Sequence, residues 1–515
     1  MTEDLQTETI AFLADPSTHR ARTVERADTH ISLVFLAGDR VYKLKRAVRF
    51  SYLDYSTEPL RRAACEREFE LNRRFAPGLY LAVKPVVRRE DGSLALGGHG
   101  RPVDWVVEMR RFDQADLFDR MAQEDRLTPG LVTDLAERIA EAHRTAPHAP
   151  DMGGEVGIAE AIHMTRINLK PGDAFNRHTI DRWHAAAMSS LATHGDLLEQ
   201  RRKTGKVREC HGDLHLRNIC LFEGRPTLFD GIEFSRSIAC IDILFDLAFL
   251  LMDLHHRGLG GLGNLVFNHY LDHVNETDGL PLLPLFLSLR ASIRAQVTET
   301  AARPLEPGTA RDRGMAEALA YLDLATALLH PDEPCLIAIG GFSGSGKTTV
   351  ARGLAGMLRP VPGARVLRSD VIRKQLQSVA EQVRLPDSAY GPAASGAVYD
   401  TICERAAAVL ASGCSVIADA VFARPEDRQA IAKVARRVGV AFHGVWLTAS
   451  QPTLTARVAA RLADASDATA SVVRSQLAQG PGPLDWSIVD AETSAERSIA
   501  LAARTAGLRS GLVFA

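Results

Sequence analysis

Hydrophobic and polar positions first alternate with a period of two. ISLVFL and VYKLK are strand-like runs joined by Ala37-Gly38-Asp39-Arg40, which predicts a hairpin between about His30 and Val48. A helical stretch follows from about Pro59 to Phe75. Then come two more strand-like segments, AVKPVVRRE and PVDWVVEMR, separated by the glycine-rich turn DGSLALGGHG. This pattern predicts a small, mostly antiparallel lobe with one helix, ending near Met109. After Arg111 the period changes: in TPGLVTDLAERIAEAHR, Leu131, Leu135, Ile139 and Ala142 recur at helical spacing behind a Thr-Pro start. Helices are expected to continue to about His330, broken by the short runs NICLF and PTLFD. His330-Pro331-Asp332-Glu333-Pro334 reads as a linker, because proline stops a helix and stiffens a short connection. Beyond it CLIAIGG, ARVLRSD, CSVIADAVF and FHGVWLTA alternate with helical stretches, the pattern of a parallel sheet.

The expected architecture is an α+β domain of two lobes, residues 1–109 and 110–330, followed by an α/β domain with a parallel sheet, residues 331–515. Composition agrees: 515 residues allow two to four domains at roughly 100–200 residues each. With 46% hydrophobic and 24% charged residues, disorder and fibrous repeats are excluded as the main state. The net charge of -2 gives no general attraction to nucleic acid or to an anionic membrane, although a local basic groove is compatible with it. The acidic N-terminus, with Glu3, Asp4 and Glu8, does not resemble a secretory signal. The apolar run Ile238 to Leu254 is interrupted by Asp242, Asp246 and Asp253, so a core helix is expected there, not a bilayer span. Seven scattered cysteines without a CxxC pair suggest free thiols, hence a cytoplasmic protein without disulfides or a zinc site.

Two segments carry chemistry. Gly341-Phe342-Ser343-Gly344-Ser345-Gly346-Lys347-Thr348 matches GxxxxGK[ST] in full, after an expected strand and before an expected helix. Glycines let backbone N–H groups converge on phosphate, the helix N-terminus adds partial positive charge, Lys347 reaches the β/γ-phosphates and Thr348 holds magnesium. Thr349 follows in the same helical turn. At the next strand ends stand Asp370, with Arg373 one helical turn later, and Asp419. The Asp-x-x-Arg pair resembles that of P-loop kinases of the polynucleotide-kinase and zeta-toxin type. This resemblance implies that Asp370 takes the acceptor's proton and Arg373 holds an anionic part of the substrate. Asp419 stands where a Walker B carboxylate would meet the magnesium shell, and Arg457 and Arg461, with Asp464 and Asp467, resemble the lid of the adenylate-kinase-like group, whose arginines close on the transferred phosphate. Helix capping by Asp370 and a solvated face for the arginines are the structural alternatives.

The second segment is His211-Gly212-Asp213-Leu214-His215-Leu216-Arg217-Asn218, followed by a strand-like run ending at Asp230. It resembles the HGDxxxxN signature of the aminoglycoside phosphotransferase and protein-kinase-like fold. The resemblance implies a catalytic base in Asp213 and magnesium ligands in Asn218 and Asp230. Upstream, a strand lysine should pair with a helix glutamate. Lys43 and Lys45 share one face of their strand; Glu66, Glu68 and Glu70 lie on the helix, and Lys43 with Glu68 fits the family register. Glu108 and Met109 fall where the hinge strand would meet adenine. The stretch Ala27 to Ser32 has hydroxyls where the family's loop has glycines, and Asp242 and Asp246 are placed to brace the catalytic loop. Asp113, Asp116 and Asp119 either meet a cationic substrate or cap and solvate a helix. The combined expectation is an ATP- and Mg2+-dependent phosphotransferase with a small-molecule hydroxyl acceptor. Its alternatives are a regulatory nucleotide-binding role for one module or a polynucleotide end as the acceptor of the other.

Overall fold

In the computed structural model, which describes residues 6–50, 53–380, 383–460 and 466–508, the first hairpin closes as its alternation requires. Ser32–Ala37 pairs antiparallel with Arg40–Lys45, setting Phe35 opposite Tyr42 and Val34 opposite Lys43. Among the described residues the sheet has six antiparallel strands, in the order Val24–Asp28, Ser32–Ala37, Arg40–Lys45, Arg101–Arg110, Tyr80–Arg88 and Leu94–Leu96. Its two faces bury different sets, as a period of two dictates. Leu33, Phe35, Tyr42 and Leu44 pack with Leu13 from the helix Thr7–Ala14. Val107 and Met109 pack on the other face with Cys65 from the helix Glu58–Phe75. That second helix carries Glu58 in its first turn and Arg73 and Arg74 in its last, each favourable to the helix dipole. Lys43 and Lys45 therefore emerge on the side of the sheet that faces the Glu58–Phe75 helix.

These strands belong to the first of two compact units, residues 1–167 with 191–253; the second comprises residues 168–190 with 254–515. The expected joint at His330–Pro334 lies inside the second unit, as irregular backbone between the helix Thr309–Leu328 and the strand Cys335–Gly341. In the rest of the first unit, the helix Pro129–Thr145 starts where Thr128 accepts the Leu131 N–H at 3.3 Å. The apolar run is helical only from Ile243, in the helix Ile243–His256; its first residues end the short helix Arg236–Ala239 and form the strand Cys240–Asp242, and Asp242, Asp246 and Asp253 are all buried.

In the second unit a five-stranded sheet runs Arg365–Arg368, Val416–Asp419, Cys335–Gly341, Ala441–Thr448 and Ser487–Asp490, every pair parallel. The architecture is thus the two-lobed α+β arrangement and the parallel α/β sheet expected from the sequence. Ile337 and Ile339 pack with Val350 and Leu354 of the helix Lys347–Ala355 and with Ile499 and Ala502 of the helix Ala495–Thr505. Strands buried on both faces need such continuous hydrophobic runs. Their carboxyl ends deliver Gly341, Asp370 and Asp419 to one edge of the sheet, where ligands bind in open α/β folds.

The outer strand of this sheet is capped by a helix, Gly260–His273. Asn268 accepts the Val366 N–H at 2.7 Å and donates to the Ala364 carbonyl at 2.9 Å, so its amide stands in for a neighbouring strand's peptide. Asn264 donates to Pro362 and Ala364, and the buried Arg365 pairs with Asp272 at 2.5 Å. A sheet edge that would template foreign strands is thereby closed.

Candidate active sites

Strand and helix spacing bring one glutamate to two lysines. Glu68 is buried completely and places Oε1 2.8 Å from Lys43 and Oε2 2.5 Å from Lys45. Glu66 pairs instead with Arg62, and Glu70 is exposed. Lys43 also reaches Oδ1 of Asp230 at 2.5 Å, whereas Lys45 pairs with Glu233, which accepts the Tyr55 hydroxyl at 3.1 Å. Burial works against charge on Glu68, but Lys43 and Lys45 overcome it and hold its carboxyl down at about 2. Burial likewise opposes the Lys43 ammonium, yet Asp230 and Glu68 hold its pKa well above the usual value. Lys43 is therefore the lysine that spans the helix glutamate and the aspartate after the HGDxxxxN segment.

Asp230 has a positive φ of 60°, a conformation a non-glycine residue keeps only when its surroundings enforce it. Here Tyr80 Oη accepts the Asp230 N–H at 3.1 Å, and Asn72 Oδ1 accepts the Gly231 N–H at 2.7 Å. Asn72 lies one turn beyond Glu68 on the same helix, so a single element fixes both Lys43 and the Asp230 turn. Neither Asn72 nor Tyr80 carries a motif by which sequence reading finds it.

The catalytic-loop candidate hangs from Asp246. One of its carboxylate oxygens accepts the Gly212 N–H at 2.9 Å; the other accepts the His211 N–H and approaches His143 Nε2, both at 3.1 Å. Asp253 accepts the Leu216 N–H at 3.1 Å. Asp242, the other candidate brace, instead holds the buried Arg201 through two hydrogen bonds. Burial keeps the His211 imidazole below its usual pKa and hence neutral at pH 7. His143, Cys210 and Asp246 bring ligand-type atoms within 4.8 Å of one another, but the Asp246 oxygens are already committed to the loop. Asp213, partly exposed, receives Asn218 Nδ2 at 2.8 Å and has His215 Nε2 3.3 Å away.

Around this centre, the glycine-free stretch forms a tight turn. Thr29 Oγ1 accepts the Ser32 N–H at 2.9 Å, while the Thr29 hydroxyl and amide both donate to the Ser32 carbonyl. Glu108 pairs with Lys84, and Met109 is buried beneath the sheet. Of the three acids weighed as contacts to a cationic substrate, Asp113 caps Ala115, Asp116 pairs with Arg126, and Asp119 lies 3.5 Å from Arg217.

In the second unit the phosphate-loop candidate has its backbone shape built in. Gly344 and Gly346 hold φ of 89° and 91°. A Cβ on Gly344 would lie 2.4 Å from the Leu454 carbonyl oxygen, so only glycine fits. Gly346 is the N-cap of the helix Lys347–Ala355, whose first amides point towards any anion seated in the loop. Gly341 and Ser345 lie against each other, with Ser345 Oγ fully enclosed. Lys347 Nζ lies 3.1 Å from the Phe342 carbonyl, Thr348 donates to Asp419 Oδ2 at 2.6 Å, and Ser343 N–H donates to Gln476 Oε1 at 2.9 Å. Thr349 is exposed in the same turn.

Asp370 lies in the first turn of the helix Ser369–Leu376, with its carboxyl pushed above the usual aspartate value by burial and then by Asp419. Arg373 donates to the Ala389 carbonyl at 2.7 Å and sits over the Tyr390 ring. Asp467 Oδ2 accepts the Tyr390 hydroxyl at 2.6 Å and the Leu385 N–H at 3.0 Å. Arg457 donates to the Ala491 carbonyl at 2.9 Å, while Arg461 and Asp464 lie outside the described residues.

The donor sets fit a nucleotide and a hard cation. Asn218 with Asp230, and Thr348 with Asp419, offer only oxygen ligands of the kind magnesium takes. The positive φ of Gly344 and Gly346 and the close approach of Gly344 to the Leu454 backbone keep the loop in the shape that a phosphate cradle needs.

A family model described as an AAA domain matches residues 336–483. An uncharacterized protein of Mycobacterium tuberculosis, Rv2004c, is 30% identical over 495 residues, covering 92% of this chain and 94% of its own. The chain belongs to the family of that mycobacterial protein. Among solved structures, a choline/ethanolamine kinase family protein from Mesorhizobium loti covers 63% of this chain and 99% of its own, at 15% identity and TM-score 0.37. A gluconokinase from Sinorhizobium meliloti 1021 covers 34% of this chain and 92% of its own, at 22% identity and TM-score 0.25. Among the described residues of this family member, no helix is long and apolar enough to cross a membrane.

Proposed function

We propose that this protein is a phosphotransferase with two ATP sites, each moving the terminal phosphoryl group of ATP to a hydroxyl of a small molecule. The observation that carries this reading is the Lys43 ammonium held between Glu68 and Asp230. A lysine fixed by a buried carboxylate beside a strand-end aspartate is an arrangement for charge on a triphosphate. In the first unit Asp213, oriented by Asn218 and His215, accepts the proton of the acceptor hydroxyl. The hydroxyl oxygen then forms the new P–O bond as the β–γ bridging P–O bond breaks and ADP leaves. In the second unit Asp370 takes the same role, Lys347 and the loop amides receive the phosphates, and Arg373 meets an anionic part of the acceptor. Magnesium, where bound, neutralises phosphate charge and orients the terminal phosphate.

A regulatory reading of the first unit is favoured by one observation only. Its Thr29–Ser32 turn is closed on itself by hydroxyl bonds and contains no glycine to wrap phosphate. Screening the full-length protein against pooled metabolites and aminoglycosides, with Asp213→Ala and Lys347→Ala variants alongside, tests both readings. Two activities, each removed by one substitution, are expected. Loss of all transfer in Lys347→Ala with none in Asp213→Ala would make the first unit the regulator.

A further inference from the structure

One side-chain contact on the phosphate loop has no part in the reading above. The Ser343 N–H, a backbone donor within the loop, ends on Oε1 of Gln476. A donor at that position requires an acceptor, so the chemistry assigns the carboxamide's oxygen to Ser343 and turns its –NH2 group away from that amide. Among the described residues that –NH2 has no hydrogen-bond partner.

Packing holds Gln476 in place. It lies on the helix Ala470–Gln479, whose Val473 is completely buried with Leu454 and Val458, while Leu477 and Phe342 pack against the same cluster. Phe342 is itself a loop residue, so this helix is fitted to the phosphate loop by both apolar and polar contact. The start of the same segment meets the acceptor side: Ser466 hydrogen-bonds the Asp370 carboxyl, and Asp467 binds Tyr390 and the Leu385 amide. Fourteen residues of chain, 466–479, thus touch the expected base at one end and the phosphate loop at the other.

We propose that Gln476 is a nucleotide-contacting residue that recognises the terminal phosphate of a nucleoside triphosphate, its carbonyl on Ser343 and its –NH2 donating to a phosphate oxygen. The inference rests on the phosphate-loop reading. A hydrogen bond to a charged acceptor contributes about 1.5–3 kcal/mol, and a diphosphate, lacking the terminal group, cannot collect it. Gln476 therefore discriminates triphosphate from diphosphate without being a base, an acid or a metal ligand.

The test is calorimetric titration of the full-length protein carrying Asp230→Ala, which silences the first site, with a non-hydrolysable ATP analogue and with ADP. Gln476→Ala is expected to weaken the analogue about 10- to 100-fold and ADP less than about twofold. Gln476→Glu keeps an acceptor for Ser343, loses the donor and adds negative charge, so it should weaken the analogue more than the alanine variant does. Unchanged thermal melting would confirm that both variants fold. Equal losses for both nucleotides, no loss, or a glutamate variant that binds the analogue like the parent overturns the inference. Lys347→Ala is run in parallel: if it leaves the remaining site intact, the phosphate-loop reading itself fails. If it abolishes that site while Gln476→Ala has no effect, only the role of Gln476 is lost.

Discussion

Lys43 Nζ stands 2.5 Å from Oδ1 of Asp230, a residue 187 positions later in the chain. Neither side of that pair is held by its neighbours in sequence alone. Lys43 is fixed through Glu68, and the Asp230 turn through Tyr80 and Asn72, so the helix Glu58–Phe75 governs both halves.

Glu68→Gln should therefore be among the most destabilising substitutions in the first unit. It removes the carboxylate the two enclosed lysines share, leaving Lys43 with Asp230 alone and Lys45 with Glu233 alone, and breaking a buried pair costs about 3–5 kcal/mol. Urea denaturation is the measurement. The pH dependence follows from the lowered carboxyl: stability from Glu68 is complete above its unfolded value near 4.5 and is lost as pH falls towards about 2. The Gln variant should lose that acid limb, its stability changing less between pH 5 and 2 than the parent's.

Asp246→Ala should slow transfer at the first site without removing nucleotide. The carboxylate touches the loop backbone at His211 and Gly212, not the phosphates, so the loop and Asp213 shift while Lys43 and Asp230 keep their partners. Misplacing a reacting group by 1 Å can cost about 100-fold. Steady-state kinetics should show kcat falling by about 10- to 100-fold with the KM for ATP within about threefold.

The second site should show a raised acid limb. Burial and the Asp419 charge push Asp370 above the ordinary aspartate value, so activity dependent on an ionised Asp370 should fall at a higher pH than an exposed aspartate would permit. Removing the neighbouring charge with Asp419→Asn should move the limb to lower pH, even as it lowers the maximum rate. A pH–rate profile in an Asp213→Ala background reads both effects.

Residues 331–515 expressed alone should be less stable than residues 254–515. The shorter piece lacks Asn264, Asn268 and Asp272, exposing the outer strand's backbone and leaving Arg365 without its carboxylate. In the full-length protein, Asn268→Leu should cost about 1–3 kcal/mol, because the Val366 N–H and Ala364 carbonyl then lose a buried partner. Thermal melting of the two fragments and urea denaturation of the variant are the checks.

Legibility in the sequence followed how local each signal is. The phosphate loop could be read because its glycines, lysine and threonine are adjacent and each has one job. The HGDxxxxN segment could be read for the same reason. Lys43 against Lys45 could not be decided by periodicity, since two residues apart on a strand means one face; both meet Glu68, and only Asp230, distant in sequence, separates their roles. The helix Thr7–Ala14 and the strand Val24–Asp28 left no pattern strong enough to read, one being only eight residues long and the other almost wholly exposed. Asn72, Asn264, Asn268 and Gln476 escaped notice because an amide side chain acquires meaning only from the backbone group placed opposite it. The proline-rich stretch marks a break in regular structure, yet the sheet beyond it is closed by a helix that precedes it by more than fifty residues.

The most direct test of the account is the number of triphosphate sites. Titration of the full-length protein with a non-hydrolysable ATP analogue and magnesium should give two sites per chain. Lys347→Ala and Asp230→Ala should each leave one, and the double variant none. A single site in the parent protein, or loss of all binding from either substitution alone, would contradict it.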